Sequence, residues 1–410
     1  MKVGIFTDTY FPQISGVSTS IRTLKNELEA SGHEVIIFTT TDPQVQKKEE
    51  NIVRLPSIPF ISFKDRRMVI RGMIHAYEAA KYHELELVHT QTEFGVGILG
   101  KFVAKKLNIP IVHTYHTMYE DYLHYIAKGI IVKPQHVRLM TRKFCQHLDG
   151  VICPSHRVEN KLHEYDIEVP MAIIPTGIDL QQFSDQSKDD VLTRQQLGIS
   201  DDTKILLSLS RLSYEKNIQA IIEGMAHIIE KDTHYHLIIV GDGPYRQALE
   251  DRVIELSLSS YVTFVGEVAN QEVNQYYRLA DYFVSLSTSE SQGLTYIEAL
   301  AAKTPIIAKE NAYLNQLIEN KEMGLLLSSA ESFAEKFMVY QEQVLDHSPH
   351  FFEGKLQEIS SQTFGKKVMD FYEELIETYN NQLVATQEPL LRPKKLVART
   401  MKVIKRTKKI

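Results

Sequence analysis

The chain has 410 residues, 43% of them hydrophobic and 24% charged, with a net charge of −6 and two cysteines, Cys145 and Cys153. Those proportions belong to a globular protein large enough for two domains, each with its own core. They exclude a disulfide scaffold, the two cysteines lack zinc-ligand spacing, and no apolar run approaches the roughly 20 residues of a membrane span.

The opening residues, Met1-Lys2-Val3-Gly4-Ile5-Phe6, read as a strand and not as a secretory leader, so a cytoplasmic protein is expected. Short apolar runs then recur, each followed by helical periodicity. The first set covers residues 3–6, 35–39, 87–90, 111–114, 151–153 and 172–174; the second covers 205–209, 237–240, 262–265, 282–286, 305–308 and 325–327. Helices are expected at 19–31, 96–107, 218–230 and 245–256. Strand alternating with helix predicts right-handed βαβ units and parallel sheets. A single sheet of about 12 strands would be unusual, so two are expected. The polar stretch 179–203 divides them. The fold class is therefore α/β, two Rossmann-like domains facing each other across a cleft, over residues 1–178 and 179–381, with a tail at 382–410. Ligands of such folds bind at the carboxyl ends of the strands.

Five motifs fall at those ends. The loop Asp8-Thr9-Tyr10-Phe11-Pro12-Gln13-Ile14-Ser15-Gly16-Val17 carries a glycine that lets a ligand approach the backbone, with Ser18 or Thr19 as candidate caps of the next helix. An ordinary capped βα loop fits the same residues, and no GxGxxG fingerprint is present. His113-Thr114-Tyr115-His116-Thr117 ends a strand, with His116 either a cleft residue or a satisfied core histidine. In Ser210-Arg211-Leu212-Ser213-Tyr214-Glu215-Lys216-Asn217, two cations flank a loop that opens a helix, a pairing suited to a diphosphate. Gly241-Asp242-Gly243-Pro244 reads as a structural turn into a helix. Last, Glu290 and Glu298 stand on either side of Gly293, and Glu298 is expected near the start of a helix over 297–302. There is no Asp-x-Asp, no HExxH and no GxSxG. A site that binds a diphosphate without metal ligands must neutralise it with Arg, Lys and helix dipoles.

Together these residues resemble the retaining glycosyltransferases of family four, with two Rossmann-like domains in the GT-B arrangement. The marks are Glu290-x7-Glu298, the Arg-Leu-x-x-Glu-Lys-Asn segment from Arg211 to Asn217, Gly241-Asp242-Gly243-Pro244, and Phe-Pro-x-x-x-Gly-Val from Phe11 to Val17. Within the family, Thr7-Asp8-Thr9-Tyr10-Phe11-Pro12, the block from His113 to Tyr122 and the block from Ser289 to Thr295 are similar to diacylglycerol glucosyltransferases of low-GC Gram-positive bacteria, which make the glycolipid anchor of lipoteichoic acid.

The resemblance implies roles. Arg211 and Lys216 would hold the donor diphosphate, and Glu298 the ribose hydroxyls. Glu290 would meet the sugar hydroxyls, with the Gly293, Leu294 and Thr295 backbone on sugar and phosphate. Gly16 would approach the diphosphate from the other domain, His116 would line the sugar pocket, and Val268 would meet the base. It implies UDP-glucose as donor, diacylglycerol in an anionic membrane as acceptor, no metal, no cofactor and no nucleic acid. Addition of a second hexose, transfer to a soluble sugar, a non-catalytic nucleotide-sugar-binding scaffold and an epimerase are the rivals.

A lipid acceptor requires membrane contact, expected on the inner face of the cell membrane. Residues 392–410 hold nine Lys and Arg and no acid, leaving −15 on the other 391 residues (−6 less +9). Val397, Met401 and Ile404 share one helical face there, the pattern of a basic amphipathic helix on anionic lipid. Residues 60–71, and residues 122–144 with Lys128, Lys133, Arg138, Arg142 and Lys143, mix apolar and basic side chains in the same way. For both, core plus solvated charge is the alternative.

Overall fold

The computed structural model describes every residue except 14, 46–48, 61–62, 126–132, 185–192, 344–348 and 392–410. The basic tail therefore lies outside the described residues, as does the centre of the 122–144 segment. In chain order the first half contains β1 (Lys2–Phe6), β2 (Glu34–Thr40), β3 (Ile52–Leu55), a hairpin of β4 (Ser57–Phe60) and β5 (Phe63–Val69), β6 (Leu87–Thr90), β7 (Ile111–Thr114), β8 (Gly150–Cys153) and β9 (Met171–Ile173). The second contains β10 (Lys204–Leu209), β11 (Tyr235–Val240), β12 (Val262–Gly266), β13 (Tyr282–Ser285), β14 (Ile306–Lys309) and β15 (Gly324–Leu327).

Two separate parallel sheets result, ordered β3-β2-β1-β6-β7-β8-β9 and β12-β11-β10-β13-β14-β15. The expected α/β class with two Rossmann-like halves is what the chain adopts. In each sheet the strand order reverses once, between β1 and β6 and between β10 and β13. Those are the switch points at which doubly wound sheets open a crevice for ligands. Most strands of the two parallel sheets are largely apolar runs because helices cover both faces. On β1, Val3 and Ile5 pack with Ile21, Leu24 and Leu28 of helix Gly16–Ala30. Phe6 faces the opposite layer and stacks on Phe38 of β2, ring centroids 4.2 Å apart.

Three expectations need correction. Helix Gly16–Ala30 begins three residues earlier than expected and is capped by Ser15, whose hydroxyl accepts from the Ser18 amide while Ser18 returns the bond to Ser15 N. Neither Ser18 nor Thr19 is the cap. Helix Leu294–Ala301 also begins three residues early, so Glu298 lies inside it and not at its opening. Finally, helix Ser361–Leu391 crosses the expected 381/382 boundary and does not belong to the second half. Its Phe364, Val368, Phe371, Tyr372 and Leu375 close the core beneath β1 and β6, and Tyr372 bonds His89 of β6 at 2.5 Å. The chain thus crosses between halves twice, and the crossings touch: Ile178 N donates to Ile359 O and Ser361 N to Ile178 O, each at 2.8 Å.

Candidate active site

The second sheet builds one wall. Beyond β10, Ser210 to Asn217 form a loop with one 3-10 turn, Tyr214–Lys216, before helix Ile218–Lys231. The Gly-Asp-Gly-Pro turn after β11 lies directly against this loop. Gly241 has φ +125°, and a Cβ there would fall 1.9 Å from Ser210 O. Leu212 N donates to Asp242 O, and Tyr245 N to Leu212 O. These contacts hold the turn against the Arg211 loop and shape it. Arg211 is exposed at the loop's edge, and no side-chain partner is found for it among the described residues.

Beyond β13 the chain carries Glu290 to Gly293. Gly293 has φ +82°, left-handed backbone that favours glycine, and turns Leu294 into the helix above the ring of Tyr296. Glu290 Oε1 and Lys216 Nζ form an ion pair at 2.5 Å, both largely buried. The two switch-point loops are therefore joined by two of the side chains expected to bind the donor. Glu298, four residues into the helix, accepts from Tyr277 OH at 2.8 Å. Burial pushes its carboxyl up to about 7, although the Tyr277 hydroxyl favours the ionised form. Val268 packs at the edge of the same core layer, beyond β12.

The first half supplies the opposite wall. Gly16 is the first residue of its helix, and the nearest atom to a Cβ built there is Leu294 Cδ1, at 3.8 Å, from the other half. Two sequence-predicted residues from different halves thus meet. His116, two residues beyond β7, bonds Gln91 Oε1 through Nε2 at 2.6 Å. Burial, with a smaller effect from neighbouring His113, pushes it down to about 3, so the ring is neutral at physiological pH. His113 does not face the cleft. It is fully buried, bonded to Thr90 and to Glu93 Oε1.

Several participants had no signal in the sequence. Three consecutive residues of the Glu290 loop are held from the first half. Arg157 Nη1 donates to Glu290 O at 2.5 Å while its Nη2 donates to Asp121 at 2.8 Å. Ser155 Oγ donates to Ser291 O at 2.5 Å. The amide of Gln292 accepts from Thr176 N and donates to Thr176 O, both at 2.8 Å. Asp8, at the end of β1, accepts from Val96 N at 3.0 Å and so caps helix Gly95–Leu107 from outside. The one available clue was position: Asp8, Gln91 and Ser155 each follow a buried strand by one or two residues. Among the described residues no group of three or more His, Cys, Asp or Glu is gathered as a metal would need.

The arrangement joins Lys216 to Glu290 beside the N-terminus of an eight-residue helix at one switch point, with the N-terminus of helix Gly16–Ala30 from the first half against Leu294; Glu298 lies within the same helix, and the neutral His116 lies beyond β7 of the first sheet. Such a site can bind a diphosphate and a polyhydroxy group side by side. The comparisons agree with that chemistry. Residues 14–182 match the Glycosyltransferase Family 4 profile and residues 190–343 the Glycosyl transferases group 1 profile. The chain is 48% identical over 386 residues to an alpha-monoglucosyldiacylglycerol synthase of Streptococcus pneumoniae, covering 93% of this chain and 88% of the relative. It is 33% identical to a protein of the same name from Acholeplasma laidlawii, covering 93% and 99%. Among solved structures, Anabaena HepE in complex with UDP-glucose superposes with a TM-score of 0.74 at 16% identity, over 91% of this chain and all of that one. Sucrose-phosphate synthase from Thermosynechococcus elongatus does so with 0.72 at 21%, over 92% and 99%. With profile matches over residues 14–182 and 190–343 and curated relatives matched over 93% of the chain, the chain belongs to the family 4, group 1 glycosyltransferases.

Proposed function

We propose that this enzyme transfers glucose from UDP-glucose to the 3-hydroxyl of 1,2-diacylglycerol with retention, at the surface of an anionic membrane and without a metal. The observation that carries the donor half is the joining of the Arg211–Lys216 loop to Glu290 at a single switch point, with Glu298 in the adjoining helix. The acceptor is supported by the two relatives named for monoglucosyldiacylglycerol synthesis. UDP as the nucleotide is further supported by the HepE complex.

In this reading Arg211, Lys216 and the N-terminus of helix Leu294–Ala301 take up the charge that develops on the leaving diphosphate. Glu298 accepts from the ribose hydroxyls, Val268 flanks the base, and the Gly293, Leu294 and Thr295 backbone meets sugar and phosphate. Glu290 is held by Lys216 on one side and, through its carbonyl, by Arg157 on the other, which suits an orienting group more than a nucleophile. We assign no covalent intermediate. The bond from the anomeric carbon to the β-phosphate oxygen breaks, the lipid oxygen attacks from the same face, and its proton passes to the departing phosphate. His116, neutral, hydrogen-bonds a sugar hydroxyl, and Gly16 leaves room for the diphosphate beside its helix.

Membrane contact rests on the first half. Ile58, Met68, Ile70, Met73, Ile74, Phe94 and Ile98 are all exposed, Ile74 to 78%. They lie on the β4–β5 hairpin and on the starts of helices Met73–Tyr82 and Gly95–Leu107, and Val69 of the hairpin abuts Gly95. An apolar surface of this kind beside Arg67 and Arg71 suits a bilayer interface. Among the described residues no helix is long and apolar enough to cross a membrane, and a peripheral position on the inner face of the cell membrane fits both features. In helix Pro134–Cys145, Arg138 and Arg142 pair with Asp166, so that segment offers less free charge than its sequence promises.

The test is transfer of labelled glucose from UDP-glucose to vesicles of diacylglycerol and phosphatidylglycerol, with excess chelator. One labelled monoglucosyl lipid with retained anomeric configuration is expected. Product only from monoglucosyldiacylglycerol vesicles would make it a second-step transferase, and loss of activity with chelator would overturn the metal-free reading.

A further inference from the structure

Gln91 stands directly beyond β6, at the switch point of the first sheet, and its amide N–H is tied to the end of β1 through Phe6 O at 2.8 Å. Its side chain is 97% buried, with a relative exposure of 3%. The Oε1 atom lies 2.6 Å from His116 Nε2, whereas the side-chain nitrogen Nε2 has no hydrogen-bond partner among the described residues. A buried amide donor left unpaired keeps the full penalty of its desolvation, which an apolar residue of the same length would avoid. Turning the amide over does not remove the cost, because it strands the oxygen in place of the nitrogen. A glutamine in a well-packed core is hydrogen-bonded through both ends, as Gln292 is. Gln91 is satisfied only on the side of a residue that already faces the cleft.

We propose that Gln91 is a positioning residue of the transfer site: it fixes the proton of His116 on Nε2, leaves His116 Nδ1 free to accept, and offers its own amide N–H to a hydroxyl oxygen of the substrate. This rests on the reading of the cleft as a sugar-transfer site, and supplies the partner that the first sheet otherwise lacks there. An imidazole with its Nε2 proton held by an amide oxygen presents one lone pair in one direction. That converts His116 from a group with two interchangeable nitrogens into a fixed acceptor. The oxygen that completes Gln91 belongs either to the donor hexose or to the glycerol of the acceptor, both of which offer hydroxyls.

Gln91→Met keeps the length and apolar volume of the side chain and removes both polar atoms. A purely structural glutamine and a positioning one are then told apart by activity and tautomer. On the proposal, Gln91→Met loses about tenfold or more in kcat/KM per folded molecule, while its heat stability changes little, because the unpaired donor is gone but His116 Nε2–H loses its acceptor. It also loses the Nε2-protonated signature of His116 in nitrogen-15 NMR of the imidazole. Gln91→Glu, which retains an acceptor for His116, keeps that signature and loses only the second contact. A rise in KM for UDP-glucose and a fall in acceptor-free hydrolysis assign the oxygen to the hexose; a rise confined to diacylglycerol assigns it to the glycerol. A lower melting temperature with kcat/KM unchanged per folded molecule, or an unchanged His116 tautomer in Gln91→Met, overturns the proposal. Failure of the native enzyme to transfer glucose at all would instead count against the function proposed above, while the tautomer measurement would still decide the role of Gln91.

Discussion

Glu298→Gln should make the fold more stable while damaging the site. Burial holds the Glu298 carboxyl up at about 7, against 4.5 for an unperturbed glutamate. Between those values the folded protein binds more protons than the unfolded chain, so stability falls as pH rises through the window. Above pH 7 the full cost is present, about 3 kcal/mol for a shift of that size. A glutamine has no charge to bury at any pH and still accepts from Tyr277, which bonds Glu298 at 2.8 Å. Paired urea titrations should therefore show Glu298→Gln more stable by about 3 kcal/mol at pH 8.5, and by less than half of that at pH 5.5. UDP binding measured by calorimetry should move the other way. The native affinity should decline below pH 7 as the carboxylate that accepts from the ribose is protonated. The variant should bind about tenfold or more weakly with no pH dependence in that range. Equal stability at pH 8.5, or a gain that does not vary with pH, would refute the buried-carboxylate account. Unchanged UDP affinity would refute the ribose role.

Glu290→Gln and Arg211→Ala should each lower turnover by about a hundredfold or more without altering vesicle binding, read by transfer and co-sedimentation assays. Gly241→Ala should destabilise the protein by about 2 kcal/mol or more and weaken UDP binding, because the new methyl collides with Ser210 O at 1.9 Å and displaces the Arg211 loop. Gln292→Leu strands Thr176 N and O, which it bonds at 2.8 Å each; it should cost about 2–4 kcal/mol and lower kcat more than UDP affinity. Removal of residues 392–410, with their nine cations, should release the enzyme from phosphatidylglycerol vesicles in a salt-dependent way and leave its weak binding to neutral vesicles as it was, since each basic residue near an anionic surface contributes about 1 kcal/mol.

Most strands were legible because a parallel strand covered on both faces is a largely apolar run, and all six of the second sheet carry one, broken at most by single polar residues such as Ser208 and Thr263. The exceptions are β3, which places Arg54 between Val53 and Leu55, and the hairpin of β4 and β5. β3 is the edge strand of its sheet and β4 and β5 pair only with each other, so their sequences follow no buried-strand pattern. Helix starts were read late at Gly16 and Leu294 because glycine and β-branched residues dominate the first turns, while capping is decided by Ser15 and Gly293, whose backbone angles no propensity reports. Helix Ser361–Leu391 shows an apolar face in its sequence, but an amphipathic face does not name the sheet it will cover.

The residues proposed to bind the donor were legible for a further reason: Arg211, Lys216, Glu290 and Glu298 are charged side chains in the loops and helix that follow apolar strands, a pairing that folding alone does not favour. What holds them was not. Arg157, Ser155 and Gln292 act on backbone carbonyls and amides, which every residue has, so nothing in the sequence marks the acceptors. Those bonds change where the site resides. Glu290 enters it from the second half, yet its carbonyl is held by Arg157, and the carbonyl of Ser291 and the amide of Gln292 are held by Ser155 and Thr176 of the first. Separation of the halves would break all of these bonds at once and leave, among the described residues, Lys216 on the Glu290 carboxylate. The Glu290 loop is thus completed by the first half, and on the proposed reading a donor bound to the second half alone would meet a Glu290 free to leave its working position.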